Sequence, residues 1–412
     1  MLRLPLTSAA CGLSTALLSL SLSLSLTLVL PRTSDAQRPA GAASERVFTY
    51  GASARAPARW QVDPRPLTRI GGSAAQGPAE LAQVLGVARL ADGRVVIADG
   101  GSTELRVFSA DGRFIRAIGR KGQGPGEFDG IQIMHRSADT LVVHDRTSRL
   151  QIYDAEGTLL RSYARPVFPG RGTLSWPGML SDGSGVVQGV DPVTDSTSAR
   201  VTATASLAIR PPDSTDVRAF TSIPVFERVR RGGAQVAVFL GAVSRVAVMG
   251  ERVCAGYSLT WQVRCFDRRG TPVSRTVRSV SPGAVTGADK ESFRAGYLAA
   301  NKGQPPERVR AALDRIEYAQ QRSAFGRFVP SPTGELWVGA FVALESFIPG
   351  RRGPAMSPTA TTWSVIGTDG AWIAEVILPA QFSLLDAGRD YVAGVELDSD
   401  DVETVVVYRL RR

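Results

Sequence analysis

The side chains able to carry chemistry are few. His135 and His144 are the only histidines, so a nucleophilic triad or an imidazole metal site would have to use one of them. His144 sits in the run Leu-Val-Val-His-Asp and His135 in a strand-to-turn stretch; both read as partly buried structural histidines. Asp99 and Asp145 occupy matching places at the ends of two apolar runs, and Glu80 and Glu127 also match one another. Repetition at matched places points to a structural use. Gly119–Gly126 is glycine-rich, yet it leads into a strand and lacks the Gly-Lys-Ser/Thr that opens a phosphate-binding helix, so nucleotide binding is excluded. We assign no catalytic residue, no metal ligands and no cofactor.

Cysteine usage says more. Cys11 lies in the leader described below, which leaves Cys254 and Cys265. The segment Arg252–Phe266 reads as two strands about a turn at Ser258–Trp261. A register symmetric about Leu259-Thr260 sets the two cysteines opposite each other. In an oxidising compartment they would form a disulfide; two buried thiols are the alternative.

The charge is +10, carried almost wholly by arginine, since Lys121, Lys290 and Lys302 are the only lysines. Arginine pairs are scattered and form no dense stripe, so nucleic acid is not the expected partner. The first residues supply Arg3, then an apolar run from Leu17 to Leu30 broken by Pro31, then Ser34-Asp35-Ala36 as a cleavage site. Residues 1–36 are read as a signal peptide, with an uncleaved anchor as the rival reading. The mature chain would be periplasmic or extracellular, with no membrane span and monomeric.

The elements that must position these residues follow from an internal repeat. Residues 69–81 read RIGGSAAQGPAEL and residues 118–128 read IGRKGQGPGEF. Each copy is followed by four short β-type runs. The first set is Val87–Leu90, Arg94–Ala98, Leu105–Phe108 and Phe114–Ile118, with tight turns at Asp92-Gly93 and Asp111-Gly112. Four antiparallel strands recurring every 45 or so residues make a propeller blade. The last strand, Thr404–Leu410, has no fourth partner after it, whereas Pro66–Gly71 matches a fourth strand with no blade before it. Pairing the two would close a ring and remove two sheet edges. Blades are expected near 84–119, 128–165, 172–223, 237–280, 323–379 and 380–410 plus 66–71, with 37–65 as an N-terminal extension. Residues 286–322 break the β pattern. A short helix is expected over Asp289–Ala300, and a second places Val309, Ala312, Leu313 and Ile316 on one face. This helical insert would fall between blades four and five.

IGRKGQGPGEF followed by V-V-I-A-D and L-R-V-F-S-A-D-G resembles NHL-repeat six-bladed β-propellers. The resemblance covers 66–165 well and 323–379 in part. It implies an all-β six-bladed propeller and leaves function open between binding, sensing and lyase scaffolds. Lactonases, which use a similar ring, would need Asp, Glu and Asn clustered on the inner strands around a metal. Asn301 is the chain's only asparagine, and no such cluster is visible.

Turns between first and second and between third and fourth strands share one face of such a ring. Links between blades and second-to-third turns share the other. The long segments fall on the second face: Gly119–Gly126, Pro166–Gly172, Asp191–Ser198, 343–360 and the helical insert. Long loops on a rigid scaffold carry binding. The expected function is therefore an exported, non-catalytic propeller that binds a protein or an anionic envelope polymer there. Arg120, Lys121, Arg146, Arg351 and Arg352 would form a positive lip. A metal-dependent hydrolase or lyase of the lactonase type is the alternative.

Overall fold

The computed structural model describes residues 44–412 apart from 138–139, 147–148, 165–167, 169–171, 193–197 and 346–355. The leader, Cys11, Arg351 and Arg352 thus lie outside the described residues.

The chain is all-β, with few helices and propeller-like sheets. Blade one is Val84–Arg89, Val95–Asp99, Glu104–Phe108 and Phe114–Ile118, paired antiparallel in chain order. Blade two is Ile131–Ser137, Thr140–Asp145, Leu150–Tyr153 and Leu159–Tyr163. Blade three is Gly172–Met179, Gly185–Val190, Arg200–Arg210 and Arg218–Arg231. Blade four is Ser244–Met249, Arg252–Tyr257, Gln262–Asp267 and Pro272–Arg278. Blade five is Phe328–Pro330, Leu336–Gly339, Thr361–Ile366 and Trp372–Leu378. Blade six takes Phe382–Ala387, Tyr391–Leu397 and Glu403–Arg411 from the end of the chain.

Position in the blade explains strand composition. Val95–Asp99, a second strand, is buried at every residue because neighbouring blades cover both its faces, so its sequence is apolar without alternation. Phe114–Ile118, an outer strand, buries only Ile118. Buried side chains fill the spaces between blades. Met134, Leu141 and Tyr153 meet Val96 and Leu105 between blades one and two. Trp337 and Trp363 meet Leu384 and Val406 between five and six. Val84 and Ile97 meet Tyr391 and Val405 between six and one.

The N-terminal stretch is more engaged than a simple extension. Arg46–Tyr50 pairs parallel with Pro272–Arg278 at the outer edge of blade four. The long strand Ala58–Gly71 then pairs parallel with Trp372–Leu378 of blade five over Ala58–Trp60. Its later part pairs antiparallel with Glu403–Arg411, setting Pro66 opposite Tyr408 and Gly71 opposite Thr404. The residues Arg-Val-Phe-Thr-Tyr are strand formers, which explains the first of these pairings.

Two other boundaries differ from the sequence reading. Ala234–Phe239, expected at the start of blade four, forms a hairpin with the long outer strand of blade three instead. Helix α1 is Gly287–Ala300, longer than expected, because Thr286 and Asp289 form a capping box that starts it earlier. Helix α2 is Pro306–Leu313 and ends before Ile316. Both lie between the last strand of blade four and the first of blade five. Phe293 of α1 is fully buried against Phe239 and Tyr318, with ring centroids 5.2 and 5.8 Å apart, and so ties the helix to the blade-three hairpin.

Cys254 and Cys265 face each other across adjacent strands of blade four and are disulfide-bonded, with Cα atoms 4.0 Å apart.

Candidate functional site

Blades one and two share a clasp. In blade one, Asp99 accepts hydrogen bonds from the Ala82 and Ser102 amides at 2.7 and 2.9 Å, and Arg106 lies 3.5 Å from its carboxylate. Arg106 also donates to the carbonyls of Pro78 and Glu80. In blade two, Asp145 accepts from the Asp129 amide and from Arg149, both at 3.0 Å. Arg149 donates in turn to the Gln123, Gly124 and Glu127 carbonyls. The repeated Gly-Pro-x-Glu turn is thus gripped by an arginine that a buried aspartate holds. Glu127 adds a bond that Glu80 lacks: its carboxylate accepts from the Gly124 amide at 2.9 Å and from Arg120 at 2.8 Å. Those bonds hold the Glu127 carboxyl below its ordinary pKa, the Gly124 amide first and then Arg120.

Beside the second clasp lies a cavity of about 710 Å³. Its walls come mainly from the innermost strands of blades two, three, four and five, from the second strands of blades two and three at His144, Asp145 and Gln188, and from the second-to-third turn of blade two with Leu150 after it. It therefore sits on the ring axis and reaches the face that carries the interblade links. Connections on that face include 72–83, 119–130 and 279–327, whereas the opposite face has short turns such as 90–94, 109–113 and 367–371.

His135 and His144 both line this cavity, with ring centroids 5.5 Å apart, and neither Nε2 has a hydrogen-bond partner. Burial lowers the His135 pKa to about 4. Burial, and secondarily the neighbouring His135, lowers that of His144 to about 3. Both rings are neutral at pH 7. Gln188 links blades three and four, accepting from Ser175 at 2.9 Å and donating to Ser244 at 3.1 Å. Arg327 donates its Nε to Glu345 and its Nη2 to Ser383 and the Leu384 carbonyl, at 3.0 Å each. Arg245 donates its Nε to the Gly326 carbonyl at 3.2 Å.

Of the arginines and the lysine expected at a positive lip, Arg146 lines the cavity and is half-exposed, 3.7 Å from Asp129. Arg120 and Lys121 are exposed on the link between blades one and two, near the Arg149 clasp but outside the cavity wall. Arg351 and Arg352 are outside the described residues. Sequence reasoning missed Arg149, Arg245, Arg327 and the meeting of the two histidines. One signal was available for the histidines: the hairpin register sets Ile133 opposite His144, so His135, two residues along, shares its face.

The arrangement suits binding, with fixed cations, neutral imidazoles and apolar walls at Leu150, Trp176 and Phe328. Among the described residues, no three of His, Cys, Asp and Glu converge as metal ligands. Nor is any helix among them long and apolar enough to cross a membrane.

Fold and site together define a β-propeller with an axial cavity. The family DUF5128, described as a 6-bladed beta-propeller, matches residues 81–170. No curated protein matches the chain. Among solved structures, it is similar to a member of the DUF4221 family from Bacteroides vulgatus at 11% identity and a TM-score of 0.50, covering 86% of this chain and 99% of that one. It is also similar to a candidate exported protein of Bacteroides fragilis, at 12% identity and TM-score 0.45, over 90% and 100% of the two chains. Regucalcin of Agrobacterium tumefaciens, a calcium-binding protein, matches at 12% identity and TM-score 0.34, over 89% and 97%. At such identities the likeness concerns fold alone.

Proposed function

We propose that this chain is an exported, non-catalytic propeller of six blades that binds a protein or an anionic envelope polymer on its long-loop face. In this reading the strand 66–71 closes the ring, the helical pair is an insert between blades four and five, and the mature chain is a monomer. The observation that carries it is the axial cavity, which opens on the face of the long connections and has Arg146 at its edge. Arg120 and Lys121 extend the positive surface along the adjoining link. A concave site on a rigid scaffold, fringed by fixed cations, favours an anionic partner and speeds its encounter.

Immobilised mature protein should retain a component of a cell-envelope extract. The triple change Arg120→Glu, Lys121→Glu and Arg146→Glu should abolish retention while leaving the melting curve intact. Equal retention by the variant would remove this face from the function.

A further inference from the structure

We propose that the axial cavity is a subsite for an acidic saccharide, with the guanidinium of Arg245 receiving the sugar carboxylate. The inference rests on the binding reading above and names the ligand chemistry of the same site.

The first support is a charge left over. Three of the four arginines lining the cavity have a carboxylate of their own: Arg149 has Asp145 at 3.0 Å, Arg327 has Glu345 at 3.0 Å and Arg146 has Asp129 at 3.7 Å. Arg245 has no carboxylate within 4.0 Å among the described residues; its one hydrogen bond there is the Nε donation to Gly326. Its two terminal nitrogens remain available to a ligand. Glu345 is shared in effect, since Arg245 feels its attraction while feeling repulsion from Arg327. A guanidinium withdrawn from water without a matched anion is costly, and a ligand carboxylate would supply two parallel charge-assisted bonds.

The second support is the rest of the lining. The histidines are neutral, so they add hydrogen-bonding capacity without adding charge. Gln132 has a carboxamide with no hydrogen bond among the described residues, and Gln188 has donor capacity beyond its bond to Ser244. Trp176 gives an apolar wall. One cation without a carboxylate partner, two carboxamides, two serine hydroxyls and an apolar wall match a carboxylate on a hydroxylated ring better than a fully apolar acid. A space of about 710 Å³ accommodates one or two such rings.

The test is calorimetric titration of the full chain with digalacturonate, with neutral cellobiose, and with N-acetylphenylalaninate as a peptide-terminus probe. Digalacturonate should bind and cellobiose should not. Arg245→Gln should weaken digalacturonate by about tenfold or more, the loss of a charge-assisted pair. Arg245→Lys should restore part of the affinity, and Arg113→Gln, in the exposed 109–113 turn on the opposite face, should leave it unchanged. Digalacturonate binding no tighter than cellobiose, or equally well to Arg245→Gln, overturns the proposal. So does tighter binding of N-acetylphenylalaninate, which would mark a peptide terminus as the ligand. If Arg245→Gln fails to fold, Arg245→Lys alone decides, since a lysine that lowers affinity without altering the melt still reports on the guanidinium. Envelope capture that depends on the positive lip, with no digalacturonate binding, overturns this inference while the binding function stands. Loss of both removes both.

Discussion

Blades one and two share the same turn-and-clasp pattern, yet blade two lines the axial cavity and blade one does not. Both grip their Gly-Pro-x-Glu turn with an Asp–Arg clasp, and both fill their second strand with buried apolar residues. Two of their differences bear on the cavity. Where blade one has Ala98, blade two has His144, and after the clasp aspartate blade one continues Gly100-Gly101 while blade two has Arg146. Both changes sit at the end of the second strand, on the face of the long connections. The clasp therefore serves as the constant part, and the residues after it are free to vary because the turn is already fixed. Scaffold and site are separated by only one or two residues.

The largest test of that comparison is loss of the clasp. Asp99→Ala and Asp145→Ala each leave a partly buried arginine and one or two backbone amides without their acceptor, which should cost about 3 kcal/mol in either blade. Denaturant melts of the two variants should shift together. A large loss for Asp145→Ala alone would mean the two clasps are not equivalent.

A second effect, confined to acid, separates the blades by pH. The histidines ionise near 6.5 when unfolded but only near pH 4 and 3 in the folded chain, so the unfolded state binds more protons in between. Their stabilising contribution is complete above pH 6.5 and declines as the pH falls toward those folded values. The slope is at most about 1.4 kcal/mol per pH unit for each ring. The double variant His135→Gln/His144→Gln should melt with a flatter pH dependence between 6.5 and 4. An unchanged slope would assign the acid sensitivity to other groups. The smallest effect belongs to Arg146, half-exposed and loosely paired. Arg146→Ala should alter stability by less than about 0.5 kcal/mol, measured in the same melts, because exposed ion pairs contribute little.

Much of the blade architecture is legible in the sequence because Asp-Gly turns and the Gly-Pro-x-Glu repeat mark it at fixed intervals. Gly93 and Gly112 adopt φ of +90° and +87°, a conformation that few other residues accept, so the signal is strong. Asp99 and Asp145 were also readable as structural. Their arginine partners were not, because each blade draws its arginine from a different place: Arg106 lies within the third strand, seven places after its aspartate, and Arg149 in the turn before it, four places after. The cavity was hidden for a different reason. Its walls run from Gln132 to Phe328 and come from four blades, so no local pattern contains it. Arg245 and Arg327 sit in unremarkable strand-edge contexts, and only the closing of the blades around the axis brings them together.

The N-terminal stretch has a consequence for how this chain comes to be folded. Arg46–Tyr50 and Ala58–Gly71 are made early but pair with Pro272–Arg278, Trp372–Leu378 and Glu403–Arg411, which are made late. During synthesis or translocation the leading strands have no partner until the trailing ones emerge. Such widely separated pairings slow folding and leave strand edges open in the meantime. The pairing of Ala58–Gly71 must therefore wait for the last strand, and a product truncated before Glu403 leaves the later part of Ala58–Gly71 without that partner.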